Sequence, residues 1–218
     1  MKEKDKRRKQ YHNRYCPIAW GDSRNYHLTL DSSVLGIDGC VDMILACREK
    51  MLEKLEKILS IEKKEHQYDW EKVEDSYEIK FPNDYKSFIE YYGEGGINEF
   101  LWILSPFSEY ENLNTIFKFN EMREAYEIMK IDFPKMCEFE FWRNGKGIFP
   151  WGITDNGDEL FWNYKDDSVE IVIFSSRYSE KQIFSCSMSE FLVDLLEKKK
   201  ECSIFPNDFI RQENYYEL

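Results

Sequence analysis

From Pro150 to Asn163 the chain reads PWGITDNGDELFWN, and the dipeptide Asn156-Gly157 at its centre forces a reversal. A two-residue type I′ turn needs positive φ at both central positions, which Asn and Gly tolerate better than any other pair. GIFPWGIT leads into the turn and ELFWNY leaves it. In the second segment Leu160, Trp162 and Tyr164 alternate with Glu159, Phe161 and Asn163, the period of a strand with one strongly apolar face and one mixed face. YKDDS is a further turn, and SVEIVIFSS after it reads as a third strand. The stretch therefore predicts a short antiparallel meander anchored by Trp151 and Trp162.

The same stretch carries Asp155, Asp158 and Glu159, and clustered carboxylates suggest chemistry. Glycoside hydrolysis needs two carboxyl groups with separated pKa values. Beside a tight turn all three are expected to be solvated, and nothing would prepare them for that work. A calcium loop needs ligands at alternate positions over about twelve residues, and the spacing here fails. The remaining role for these acids is to place negative charge where a basic partner would meet it.

Net charge gives that role weight. The 218 residues sum to −12. Residues 1–50 hold 10 Lys/Arg against 7 Asp/Glu, and residues 51–218 hold 20 against 35. An acidic chain is a poor match for nucleic acid, which needs Lys and Arg on a common face, and a good match for a basic protein. Six cysteines without a C-x-x-C pair and three histidines argue against a zinc site and fit reduced thiols in a cytoplasmic protein. His12, His27 and His66 have no Ser or Cys partner in a catalytic motif. The basic MKEKDKRRKQ lacks a following apolar region, so it is no secretory signal, and no apolar run is long enough to span a bilayer. No cofactor, metal ligand set or catalytic residue is predicted.

Residues 1–50 read as a basic, irregular leader running into the start of a lead-in helix, with a basic arm as its functional reading and Met51 as an alternative native start. Over 41–60 apolar residues recur at three- and four-residue steps against a mixed-charge face, which predicts an amphipathic helix packed on the domain. Pro82 opens a helix whose stripe is Tyr85, Phe88, Ile89 and Tyr92. Gly93, Gly95 and Gly96 are expected to stop it; without a following Gly-Lys-Ser/Thr they are no phosphate cradle. FLWILSPF from Phe100 predicts a buried strand closed by Pro106. A helix is predicted over 120–130 with Asn120 as N-cap. Ser187 with Glu190 forms a capping box for the helix carrying Phe191, Leu192, Leu195 and Leu196. Residues 51–218 are thus expected to form an α+β domain, an antiparallel or mixed sheet with a hairpin meander packed by several helices.

The order of these motifs resembles the SUKH superfamily. Phe81-Pro82 stands before the first core helix, Gly93, Gly95 and Gly96 after it, and Trp151-Gly152 with Gly157-Asp158 and Trp162 matches the family's hairpin pattern. The likeness covers roughly residues 65–200 and leaves residues 1–50 without a counterpart. It implies a non-enzymatic bacterial immunity protein that binds and occludes a cognate polymorphic toxin, often a nuclease or deaminase. The alternative is an intracellular regulatory or scaffold module like the fungal cell-wall-synthesis regulators of the superfamily.

Tight binding to such a toxin would need a few aromatic anchors inside an acidic rim. The candidates are Asp155, Asp158 and Glu159 for charge and Tyr91, Tyr92, Tyr110 and Tyr164 as anchors, each tyrosine having a competing role in the core. Trp102, Trp142, Trp151 and Trp162 are expected in the core.

Overall fold

The computed structural model describes residues 29–61, 64, 66–134, 137–166, 168–176 and 180–218. The MKEKDKRRKQ segment, His12 and His27 lie outside the described residues. The chain divides into two compact units, Met1–Cys47 and Arg48–Leu218.

Among the described residues the first helix, α1 (Ser32–Leu59), begins in the first unit. Asp31 starts it, with the carboxylate accepting from the backbone N–H and the hydroxyl of Ser33. Gly36, at φ 70° and ψ 175°, interrupts it. Residues 32–40, expected to be irregular, are helical apart from this break, because the Asp31 cap supplies a start signal that the aperiodic sequence hides.

In the second unit the rest of α1 buries Leu52, Leu55 and Leu59, the stripe that its spacing predicted. Helix α2 (Trp70–Tyr77) follows, capped by Asp69, and then α3 (Asn83–Tyr92), which starts directly after Pro82. Its stripe of Tyr85, Phe88, Ile89 and Tyr92 is buried. Helix α4 (Thr115–Asp132) is longer than expected, and its cap is Asn114, which accepts from the N–H groups of Ile116 and Phe117. Asn120 lies inside the helix, where its amide donates to the Ile116 carbonyl. Helix α5 (Met188–Leu196) is capped by Ser187, whose hydroxyl accepts from the Glu190 N–H.

Seven strands make one sheet: β1 (Gly95–Ile97), β2 (Leu101–Ile103), β3 (Gly147–Thr154), β4 (Glu159–Tyr164), β5 (Val169–Phe174), β6 (Lys181–Phe184) and β7 (Tyr216–Glu217). Their order is β6-β5-β4-β3-β2-β1-β7, and every paired neighbour is antiparallel. The fold is α+β. Sequential strands are neighbours, so the predicted meander extends from β1 to β6, and the last strand returns beside the first. Pro150 is tolerated inside β3 because the register shifts between Pro150 and Gly152, a bulge where no ladder N–H is required.

Strand β4 is an inner strand of the sheet, and Leu160 to Tyr164 are all buried, Asn163 included, so both of its faces are covered. Its amide donates to Glu170 on β5. The mixed face read from the sequence is therefore not a wet face. On this strand Trp162 receives Tyr85 edge-on at 4.6 Å and Phe81 at 6.1 Å, while Phe119 of α4 stacks on Phe149 at 4.7 Å. Phe191 of α5 packs on Trp151 and Phe184. Asp84 ties α3 to α5 by accepting from the N–H and hydroxyl of Ser189. Trp151 and Trp162 are core; Trp102 and Trp142 are half-buried.

Gly93 does stop α3, at φ 73°. Gly95 and Gly96 do something else: they are β1. A Cβ on Gly96 would stand 2.9 Å from the Trp102 ring, and one on Gly95 would stand 2.6 Å from the Glu217 carbonyl oxygen. They are glycines because two neighbouring strands approach there, and no turn is involved.

Candidate functional site

At the hairpin tip the Gly157 N–H donates to the Thr154 carbonyl and the Thr154 N–H to the Asp158 carbonyl, both at 2.9 Å. Positive φ falls on Gly157 (81°) and not on Asn156. The connection is thus a three-residue loop, a turn closed by a left-handed glycine, and not the type I′ turn expected from Asn-Gly. The extra residue changes what each acid meets.

Asp155 remains exposed and accepts from the Trp102 indole N–H at 2.8 Å. Asp158 turns inward and is only 3% exposed. Its Oδ2 accepts from the Thr154 hydroxyl at 2.7 Å and its Oδ1 from the Ser176 N–H at 2.9 Å. Glu159 is half-buried on β4, opposite Ile153 and Phe174. The expectation that all three acids are solvated is therefore corrected. It describes Asp155, whereas Asp158 locks the loop to the segment after β5. Among the described residues no group of three His, Cys, Asp or Glu is placed to hold a metal ion.

The four tyrosines separate cleanly. Tyr92 is buried and donates to the Leu52 carbonyl; burial, with Glu56 nearby, pushes its phenol up to about 12. Tyr164 is buried and donates to the Lys80 carbonyl, and its phenol is raised by burial. Tyr91 is half-buried, edge-on to Tyr92. Tyr110 is 60% exposed on the loop before α4. His66 is exposed and stacks on Tyr68.

One recess of the surface was not foreseen. Between α2, the 106–111 loop and the first turns of α4 lies an open groove of about 670 Å³. Tyr68 and Phe107, stacked at 4.2 Å, form part of its lining, and Trp70 meets Phe107 edge-on at 4.8 Å. Tyr77 and Phe117, 41% and 45% exposed, also line it. Asp69, Glu109 and Glu111 line it against a single lysine, Lys72. Ser105 and Asn114 hold the loop in place: the Ser105 N–H donates to Leu113, the Thr115 N–H to Ser105, and the Asn114 amide to Ser108. Phe117 is the local signal for this groove, an aromatic one position off the buried stripe of Ile116, Phe119, Met122 and Tyr126.

Fold and surface together define a class: an α+β domain with one antiparallel sheet, whose candidate acids and aromatics either lock the meander or line its exterior. The chain belongs to the SMI1-KNR4 cell-wall family, whose SUKH_6 model matches residues 67–192, more than half of the chain. The match takes in the Phe81-Pro82 helix start, the glycines, the tryptophan hairpin and the beginning of α5. No curated protein and no solved structure matches it. Among the described residues no helix is long and apolar enough to cross a membrane.

Proposed function

We propose that this protein is a cytoplasmic immunity protein that binds a cognate polymorphic toxin domain and neutralises it by occlusion, without catalysis of its own. The observation that carries the reading is the charge distribution: 35 Asp/Glu against 20 Lys/Arg over residues 51–218. A nuclease or a nucleic-acid deaminase must be basic where it grips phosphate, and an acidic domain is complementary to that surface. Membership of the SMI1-KNR4 cell-wall family supports a binding role. The reading assigns the activity to residues 51–218, with exposed Asp155 and Tyr110 as contacts that reach solvent.

The test is co-expression. The toxin gene adjacent to this one is induced in a sensitive host with and without this protein, and growth and complex formation are measured. Rescue together with a stoichiometric complex supports immunity. Absence of a neighbouring toxin, or a toxin that kills regardless, rejects it.

A further inference from the structure

We infer that the groove between α2, the 106–111 loop and α4 is a docking surface for a basic protein segment that carries an apolar anchor. The partner is the toxin of the reading above, on which this inference rests.

Three features fit that occupant. Part of the lining is aromatic: Tyr68 and Phe107 stack there, and Trp70, behind the lining, meets Phe107 edge-on. Tyr77 and Phe117 keep two-fifths or more of their surface in water although each has a neighbouring core. Exposed rings beside a recess are what an anchor side chain needs to gain burial on association. The charge around them is acidic, with three carboxylates against Lys72, which selects lysine or arginine flanking the anchor. A nucleic acid would be repelled by that rim, and an acidic peptide likewise.

The groove is also preorganised. The 3₁₀ turn Glu111–Leu113 and the cap at Asn114 fix Glu111 and Phe117 relative to one another, because the Asn114 carboxamide accepts from the Ile116 and Phe117 N–H groups while donating to Ser108. Ser108 in turn accepts from the Tyr110 N–H. A rim already held in place loses little conformational entropy on binding.

Two probes test this on the full chain. The first is a short amphipathic peptide with leucines at helical spacing and lysines elsewhere, compared with its leucine–glutamate counterpart and followed by amide chemical shifts. The lysine peptide is expected to perturb residues 68–77 and 106–120, the glutamate peptide to perturb nothing. Phe117→Asp and the pair Glu109→Lys/Glu111→Lys, all exposed positions, are each expected to weaken it by about tenfold or more, and Glu213→Lys, away from the groove, to leave it unchanged. Perturbations spread over other acidic surfaces, or insensitivity to both groove variants, overturn the inference. The second probe is the purified toxin domain. Wild-type protection with equal toxin affinity in the groove variants overturns the docking site while immunity stands. A toxin that does not bind wild type removes the immunity reading, and the peptide result alone then decides whether the groove takes basic segments.

Discussion

The hydroxyl of Thr154 donates to Oδ2 of Asp158 across 2.7 Å, and the Asp158 N–H returns a bond to the same hydroxyl oxygen at 3.0 Å. With the Ser176 N–H on its other oxygen, Asp158 joins the two strands of the hairpin and the end of the third. The carboxylate of Asp155, three residues earlier, accepts a solvent-exposed bond from Trp102. Asp158→Ala should therefore cost about 1–3 kcal/mol, since it strands the buried Thr154 hydroxyl and frees the partly buried Ser176 N–H, whereas Asp155→Ala should cost about 0.5 kcal/mol or less. Urea unfolding of the two variants checks the order. Equal losses would mean that the hairpin is not locked through Asp158.

Glu74 gives a pH-dependent counterpart. Its side chain, nearly out of solvent, accepts from Lys80 at 2.9 Å, from Lys86 at 3.0 Å and from the Phe81 N–H at 3.0 Å. Burial pushes its carboxyl up, but these donors outweigh it and hold the group below its ordinary value of 4.5. A folded pKa below the unfolded one means stability that is complete above about 4.5 and is lost as pH falls through the lower folded value. Wild type should thus be more stable than Glu74→Gln at neutral pH, and the gap should close under acid. Denaturation midpoints measured across that window decide it; a gap that widens as the pH falls contradicts the assignment.

The contrast between what was and was not readable follows the range of the interactions. The hairpin, the Pro82 helix start and the Ser187 cap are set by neighbours in sequence, and each was legible. The turn type was not, because the Thr154–Asp158 pair fixes a longer loop than Asn-Gly alone would choose. Asn120 and Asn114 are equally good caps as letters; the Ser108 carbonyl, held nearby by tertiary structure, favours Asn114. Gly95 and Gly96 are explained only by Tyr216 and Trp102, one of them more than a hundred residues away. The groove is assembled from three separated segments, so no local periodicity marks it, and Phe117 stands out only as an aromatic beside the buried stripe of its helix.

Gly95 shows how sharply such a distant constraint acts. Its φ is not left-handed, so alanine brings no backbone penalty of that kind. The added methyl would nevertheless stand 2.6 Å from a backbone oxygen of β7 and 2.9 Å from the Tyr216 ring. Gly95→Ala should push Tyr216–Glu217 off β1 and cost about 1–3 kcal/mol. Hydrogen exchange at the Asn98 amide, which donates to the Tyr215 carbonyl, should speed up while the β3–β4 hairpin keeps its protection. An unchanged exchange pattern would show that β7 accommodates the methyl by shifting.

Charge and anchors should also separate in the kinetics of the proposed toxin complex. The rim carboxylates Glu109 and Glu111 are exposed, and the net charge of −12 acts over the approach path. Salt shortens the reach of such fields, to a Debye length of about 10 Å at 0.1 M and about 3 Å at 1 M. Long-range attraction governs encounter, whereas desolvated contacts such as a side chain lodged against Phe117 govern escape. Raising salt from about 0.05 M to about 0.5 M should therefore slow association by about tenfold or more and leave dissociation nearly unchanged. Phe117→Ala should do the reverse, speeding dissociation at every salt concentration. Surface plasmon resonance with the immobilised toxin domain resolves both rates. An association rate indifferent to salt would remove the electrostatic half of the argument, and a dissociation rate indifferent to Phe117 would remove the apolar half.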